Sequence, residues 1–231
     1  MKVLGVLGGM GPAATVAFLA RLQALTPATC DEDHVRVLMD MNPQVPNRHR
    51  DEPGARRVLG EMAARLRDMG ADVLAMPCNT AHAHADAIRA CGLPFIDMVA
   101  ETAAEAARGG AGRIGVLATP GGDALYAAAL ESLGVEPVRL DTTGRRTFLE
   151  AVFQVKAGDV GSGPQGLMGG LAAGLVEAGA EVVIGGCTEV PLLIGAGDVA
   201  VPLVDSAEVL AAACVRICRE EIATASDARQ G

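Results

Sequence analysis

Short apolar, β-branched runs alternate with longer stretches of helical spacing through the first hundred residues. Residues 3–7 form a strand-like run that stops at Gly8-Gly-Met-Gly-Pro12, and a helical stretch follows over 12–25. A second strand is predicted over 35–39, then a helix over 52–69 closed by Gly70. Residues 73–76 form a third strand, followed by a helix to about residue 90. Residues 95–96 form a short fourth strand, and an Ala-rich helix follows. Strands that alternate with helices of this length predict an α/β fold, with parallel strands and helices on both faces. Gly109-Gly110-Ala111-Gly112 then reads as a hinge.

The order of elements repeats after the hinge. Leu4-Gly-Val-Leu-Gly-Gly-Met10 aligns with Ile114-Gly-Val-Leu-Ala-Thr-Pro120, at an offset of 110. Ala71-Asp-Val-Leu-Ala-Met-Pro-Cys78 aligns with Ala180-Glu-Val-Val-Ile-Gly-Gly-Cys187 at 109, and Pro94-Phe-Ile-Asp97 with Pro202-Leu-Val-Asp205 at 108. Three blocks in one order at nearly one spacing indicate a duplicated unit, far longer than a solenoid repeat. The expected organisation is two pseudo-symmetric domains, 1–108 and 109–205, each a short parallel sheet flanked by helices. A last helix over 206–224 packs on either half. The active site is expected in the interdomain cleft, since ligands of open parallel sheets sit beyond the carboxyl ends of the strands.

Composition narrows the chemistry. Half the residues are hydrophobic and 20% charged, which excludes a disordered chain. Aromatics are 2% and the net charge is −9, so both the stacking platform and the phosphate-neutralising charge of a nucleic-acid binder are lacking. The first twenty residues carry one charge, but four glycines and Pro12 interrupt them, which argues against a signal helix or a membrane span. The six cysteines form no CxxC pair, so reduced thiols and a cytoplasmic location are expected.

Cys78 and Cys187 end equivalent strands of the two halves. If the halves face each other, their thiols confront one cleft from opposite sides. That arrangement suits stereoinversion at a carbon acid: one thiolate removes a proton from one face, and the other thiol delivers a proton to the opposite face. Each needs acid–base competence near neutral pH, which a modestly lowered thiol pKa supplies. A helix start is expected just after each cysteine, at Asn79-Thr80 and Thr188-Glu189, where unpaired N–H groups favour a thiolate or a substrate carboxylate. Arg48 and Lys156 lie 108 apart and are candidate carboxylate binders; Lys156 is one of only two lysines. His82 and His84 near Cys78 do not complete a four-ligand metal set, so no metal is expected.

At these residues the chain resembles the aspartate/glutamate racemase family of pyridoxal-phosphate-independent amino-acid racemases. The resemblance rests on Leu7-Gly-Gly-Met-Gly-Pro12, Met76-Pro-Cys-Asn-Thr-Ala-His82 and Gly186-Cys-Thr-Glu-Val-Pro-Leu192, and runs from Lys2 to about Ala213. It implies a two-base racemase without cofactor, with Cys78 and Cys187 as the acid–base thiols. Asn79, Thr80 and Thr188 would hold the α-carboxylate or amino group, and Met10 and Gly11 the cleft floor. Val45-Pro-Asn-Arg48 and Lys156-Ala-Gly158 match the stretches that hold a side-chain carboxylate, which points to aspartate or glutamate as substrate. Thr119 lies in a loop, Thr119-Pro-Gly-Gly122, that departs from the usual Thr-x-Gly-Thr by one hydroxyl. Glu189 is expected to orient Cys187 or the ammonium group. Other amino acids or small acids are the alternative substrates, and a homodimer is the expected assembly. Two readings compete from other classes. Gly9-Met-Gly-Pro-Ala-Ala14 fits a dinucleotide-binding loop of an NAD(P)-dependent oxidoreductase, though Asp40 lies 29 residues beyond Gly11 and Pro12 lacks an N–H. A non-catalytic two-lobed amino-acid binder would leave the paired thiols without a role.

Overall fold

The structure, a computed structural model, describes residues 1–47 and 51–220. The first half runs β1 (Leu4–Gly8), α1 (Pro12–Leu25), β2 (Val37–Met41), α2 (Glu52–Asp68), β3 (Val73–Ala75), α3 (Ala85–Arg89), β4 (Phe95–Ile96) and α4 (Met98–Ala107). The second runs β5 (Arg113–Leu117), α5 (Pro120–Ser132), β6 (Glu136–Arg139), α6 (Thr142–Lys156), α7 (Ser162–Glu177), β7 (Val182–Gly185), β8 (Leu203–Asp205) and α8 (Ser206–Arg219). The strands form two four-stranded sheets, β2-β1-β3-β4 and β6-β5-β7-β8, with every pairing parallel. This is an α/β fold of two like sheets.

The register reproduces the sequence repeat. Leu4 pairs with Val73 in the first sheet, and Ile114 with Val182 in the second. Local signals recur at equivalent places. Proline opens both α1 and α5, where its missing N–H costs nothing. Asp97, just after β4, and Asp205, the last residue of β8, cap the helices that follow, Asp97 accepting from Val99 and Ala100 N–H and Asp205 from Ala207 N–H. Gly5 and Gly115 sit mid-strand where a helix presses on the sheet. A Cβ on Gly5 would lie 2.6 Å from Leu74 Cδ2 and 3.3 Å from Leu66 Cβ of α2; one on Gly115 would lie 3.2 Å from Leu175 Cβ of α7.

That contact identifies α7 as the counterpart of α2, and leaves α6 without one. The halves keep a nearly constant offset by compensation. The first half has a longer connection after α1, containing a 3₁₀ turn over Asp31–Asp33, and the second has α6. Arg48 and Lys156 therefore both precede the equivalent helix, but Lys156 is the last residue of the additional one.

The two final helices exchange places. α8 buries Leu210, Ala211, Cys214 and Cys218 against Leu4, Val6, Phe18 and Leu22 of the first half. α4 buries Val99, Ala103 and Ala106 against Ile114, Val116 and Leu130 of the second. Each fully buried Leu, Val or Phe side chain contributes about 1.5–3 kcal/mol, so α8 is an integral part of the first core. Among the described residues no helix is long and apolar enough to cross a membrane.

Candidate active site

Strands β1, β3, β5 and β7 end toward one cavity of about 470 Å³. Cys78 and Cys187 both line it, one from the loop after β3 and the other from the loop after β7. Both are reduced and nearly buried, at 5% and 8% exposure. Met10, Asn79, Thr80, Thr119, Lys156, Thr188 and Glu189 line it as well. Gly11 instead faces an adjoining cavity of about 440 Å³, which shares Met10, Lys156 and Glu189 with the first. Arg48 lies outside the described residues; its neighbour Asn47 is on the cavity wall. A further cavity, about 620 Å³, is an outer groove between α4 and α8 that contains none of the predicted residues.

The Cys78 loop is braced from beneath. His82 Nε2 accepts from Met98 N–H at 3.0 Å, so Nδ1 carries the proton and donates to the Cys78 carbonyl at 2.9 Å. Burial lowers the His82 pKa, against the opposing charge of Asp97, and keeps the ring neutral. His82 thus has both nitrogens committed to the backbone. Asn79 is held by a chain of buried groups. Tyr126 O–H donates to Asn79 Oδ1 at 2.6 Å, Asn79 Nδ2 donates to Ser206 Oγ at 3.1 Å, and Ser206 Oγ donates to the Gly185 carbonyl at 2.7 Å. This chain ties the loop after β3 to the end of β7, and so fixes the two cysteine loops relative to each other. It also engages much of the Asn79 amide, which reduces what that side chain offers a ligand. Thr80 and Thr119 hydroxyls meet at 2.7 Å across the two halves, and Thr119 also caps α5.

Cys187 has a charged surrounding. Its Sγ donates to Glu189 Oε2 at 2.9 Å, and Thr188 Oγ1 approaches the same oxygen at 3.4 Å. Glu189 Oε1 faces Lys156 Nζ at 3.4 Å. The expected modest lowering of the thiol pKa is reversed here. Burial, then the Glu189 charge and hydrogen bond, push the Cys187 thiol well above its ordinary value, with Lys156 opposing. The expected helix starts after the cysteines are only 3₁₀ turns, Thr80–His84 and Val190–Leu192. His82 N–H bonds Asn79 O and Val190 N–H bonds Cys187 O, and turns this short carry little dipole to either thiol.

The glycine loop has a packing explanation. A Cβ on Gly8 would lie 2.6 Å from Thr15 Cγ2, and one on Gly9, at φ +96°, would lie 2.5 Å from the Asn42 backbone. Thr15 Oγ1 binds the loop from Gly9 N–H to Gly11 O. Gly8 and Gly9 are thus filled in by protein, whereas a Cβ on Gly11 would come no nearer than 3.7 Å, to Glu189 Oε1, beside the adjoining cavity. No group of three or more His, Cys, Asp or Glu side chains suited to a metal occurs among the described residues.

Several lining residues escaped the sequence reading: Asn47, Pro120 and the α6 residues Leu149, Val152 and Phe153. The i, i+3, i+4, i+7 spacing of Leu149, Val152, Phe153 and Lys156 was the available signal.

Residues 7–214 match the family described as Asp/Glu/Hydantoin racemase. A broad specificity amino-acid racemase, RacX, of Bacillus subtilis (strain 168) is 27% identical over 222 residues, covering 92% of this chain and 96% of its own. A glutamate racemase of Roseiflexus sp. (strain RS-1) is 34% identical over 148 residues, covering 60% of this chain and 52% of its own. The aspartate racemase of Picrophilus torridus superposes with a TM-score of 0.84 at 26% identity, over 94% of each chain.

Proposed function

From the premise that this chain belongs to the Asp/Glu/hydantoin racemase family, and so to the amino-acid racemases, we propose that it inverts the α-carbon of an amino acid by a two-base mechanism in which Cys78 and Cys187 are the bases. The observation that carries this reading is that both thiols, from equivalent loops of equivalent halves, line one cavity. The thiolate on one side takes the Cα proton, and the electron pair left on carbon is delocalised into the substrate carboxylate. The thiol on the other side gives its proton to Cα from the opposite face. One S–H forms and one is lost, so each turnover leaves the two sulfurs with exchanged protonation.

The two sides differ. Cys187 is held as a thiol by burial and Glu189, so it is poised as the acid, with Cys78 as the base in that direction. In the opposite direction Cys78 enters as the thiol, with a proton taken up from water, while Glu189, which accepts from Cys187 at 2.9 Å, takes the Cys187 proton and frees the thiolate. Glu189 is a positioning and proton-holding group, kept in place by Lys156. Thr80, Thr119, Thr188 and the Asn79 backbone N–H hold the α-carboxylate and ammonium. The reaction needs no pyridoxal phosphate, because the thiols perform both proton transfers. The enzyme is read as a cytoplasmic homodimer.

Lys156, the cation matched to a side-chain carboxylate, is engaged by Glu189. The relative from Bacillus subtilis carries a broad-specificity name.

The test is racemisation followed by chiral chromatography, together with deuterium incorporation at Cα in D₂O. Cys78→Ala and Cys187→Ala are each expected to abolish racemisation, while each keeps exchange from one enantiomer only. Substantial turnover in either variant refutes the two-base scheme.

A further inference from the structure

We propose that α6 forms an apolar side-chain pocket in the cleft, which selects amino acids with uncharged, apolar side chains over aspartate and glutamate. The proposal rests on the racemase reading above and adds the substrate class. Polar groups of the cavity gather around the thiols, where every amino acid presents the same carboxylate and ammonium. α6 supplies most of the apolar part of the lining. Leu149, Val152 and Phe153 turn one stripe of that helix into the cavity, with Lys156 one turn further on. Val152 is buried and Leu149 half-buried, whereas Phe153 is 65% exposed. Phe153 is therefore a large apolar side chain at the cavity wall whose ring has little protein cover.

Charge points the same way. Among the described residues Lys156 is the one cation lining this cavity, and its ammonium is 3.4 Å from Glu189 Oε1. The Glu189 side chain is 6% exposed and also accepts the Cys187 proton. A substrate side-chain carboxylate bound to Lys156 would share that ammonium with a buried carboxylate. Lys156 is 42% exposed and Glu189 6%, so taking Lys156 away would leave a buried carboxylate without its cation. An apolar side chain leaves the pair intact and gains contact with Leu149, Val152 and Phe153. The helix responsible is the one element of the second half that the first half lacks, so the wall belongs to one side of the cleft alone.

The experiment compares kcat/KM of the full-length protein for leucine, methionine and phenylalanine with that for aspartate and glutamate, by chiral chromatography. The apolar substrates are expected to exceed the dicarboxylic ones by at least about tenfold. Leu149→Ala and Phe153→Ala should each lower the value for leucine and methionine about tenfold, and change that for alanine by less than about threefold. Phe153→Arg should raise glutamate relative to leucine; at 65% exposure this site takes the change without disturbing the core. Lys156→Met should lower all substrates alike, because Lys156 acts through Glu189 and Cys187. Each readout is a ratio within one protein, so loss of folded enzyme cancels. Preference for aspartate or glutamate, a selective loss on those two in Lys156→Met, or unchanged ratios in the α6 variants would overturn the proposal while leaving the two-thiol mechanism standing. A protein inert toward every amino acid would overturn the racemase reading, and this proposal with it.

Discussion

Replacing Tyr126 by Phe removes a single hydroxyl from the link between the two cysteine loops. Tyr126 is fully buried, and burial holds its phenol neutral by raising its pKa. Its O–H donates at 2.6 Å to Asn79 Oδ1, on a residue only 3% exposed. Phe keeps the ring packing but leaves that acceptor without its donor, where water does not reach. An unsatisfied buried acceptor costs about 1–3 kcal/mol. In a chain of this size that corresponds to a fall in Tm of roughly 2–4 °C per kcal/mol. Urea unfolding, with an unchanged m-value, gives the free energy directly. A cycle with Asn79→Ala should give a coupling of about 1–2 kcal/mol, because the two groups share one bond. A loss below about 0.5 kcal/mol for Tyr126→Phe, or additive behaviour in the cycle, would refute the view that this chain of hydrogen bonds joins the halves.

Two further outcomes follow from the site. The His82 pKa is lowered by burial, so its contribution to stability is complete above the ordinary histidine value of about 6.5 and is lost as the pH falls below it. Denaturation series at pH 5, 6 and 7 should show a steeper acid decline in wild type than in His82→Leu, by up to about 1.4 kcal/mol per pH unit; parallel slopes would contradict it. Gly186→Ala places a Cβ 2.6 Å from Tyr126 Cε2 and 3.1 Å from Ala118 Cβ, beside Cys187. It should cost about 1–3 kcal/mol and impair turnover, whereas Gly197→Ala, whose Cβ meets nothing within 4 Å, serves as the silent comparison.

What the linear pattern reveals depends on the range of the forces involved. α1 was legible to its ends, because Pro12 and the apolar run report on local backbone energetics. β4, at Phe95–Ile96, was legible because its partner segment recurs at Pro202. The segment after Cys78 reads as helix by composition, but the His82 ring binds the Cys78 carbonyl and the chain tightens into a 3₁₀ turn before α3. Both thiols were singled out as candidates by the repeat and the family resemblance together, and both line the cavity. The Glu189–Lys156 pair was not, since 33 residues and a whole helix separate its members and only tertiary packing brings them within 3.4 Å. Tyr126 and Ser206 were passed over for the same reason, although a sole tyrosine amid so few aromatics was a visible oddity. The inverted shift at Cys187 is likewise a property of burial, which no spacing of residues encodes.

The exchange of α4 and α8 has a consequence for the order in which the molecule can be made. Residues 98–205 carry their own sheet together with the helices that cover it, α4 included, as one uninterrupted segment. The first sheet has no such autonomy, because Leu4, Val6 and Phe18 wait for Leu210 and Cys214 at the far end of the chain. One unit is nested inside the other, and a ribosome finishes the inner one first. A nascent chain stalled at Ile96 would show water an apolar flank, and the cleft itself can close only after the last helix has emerged.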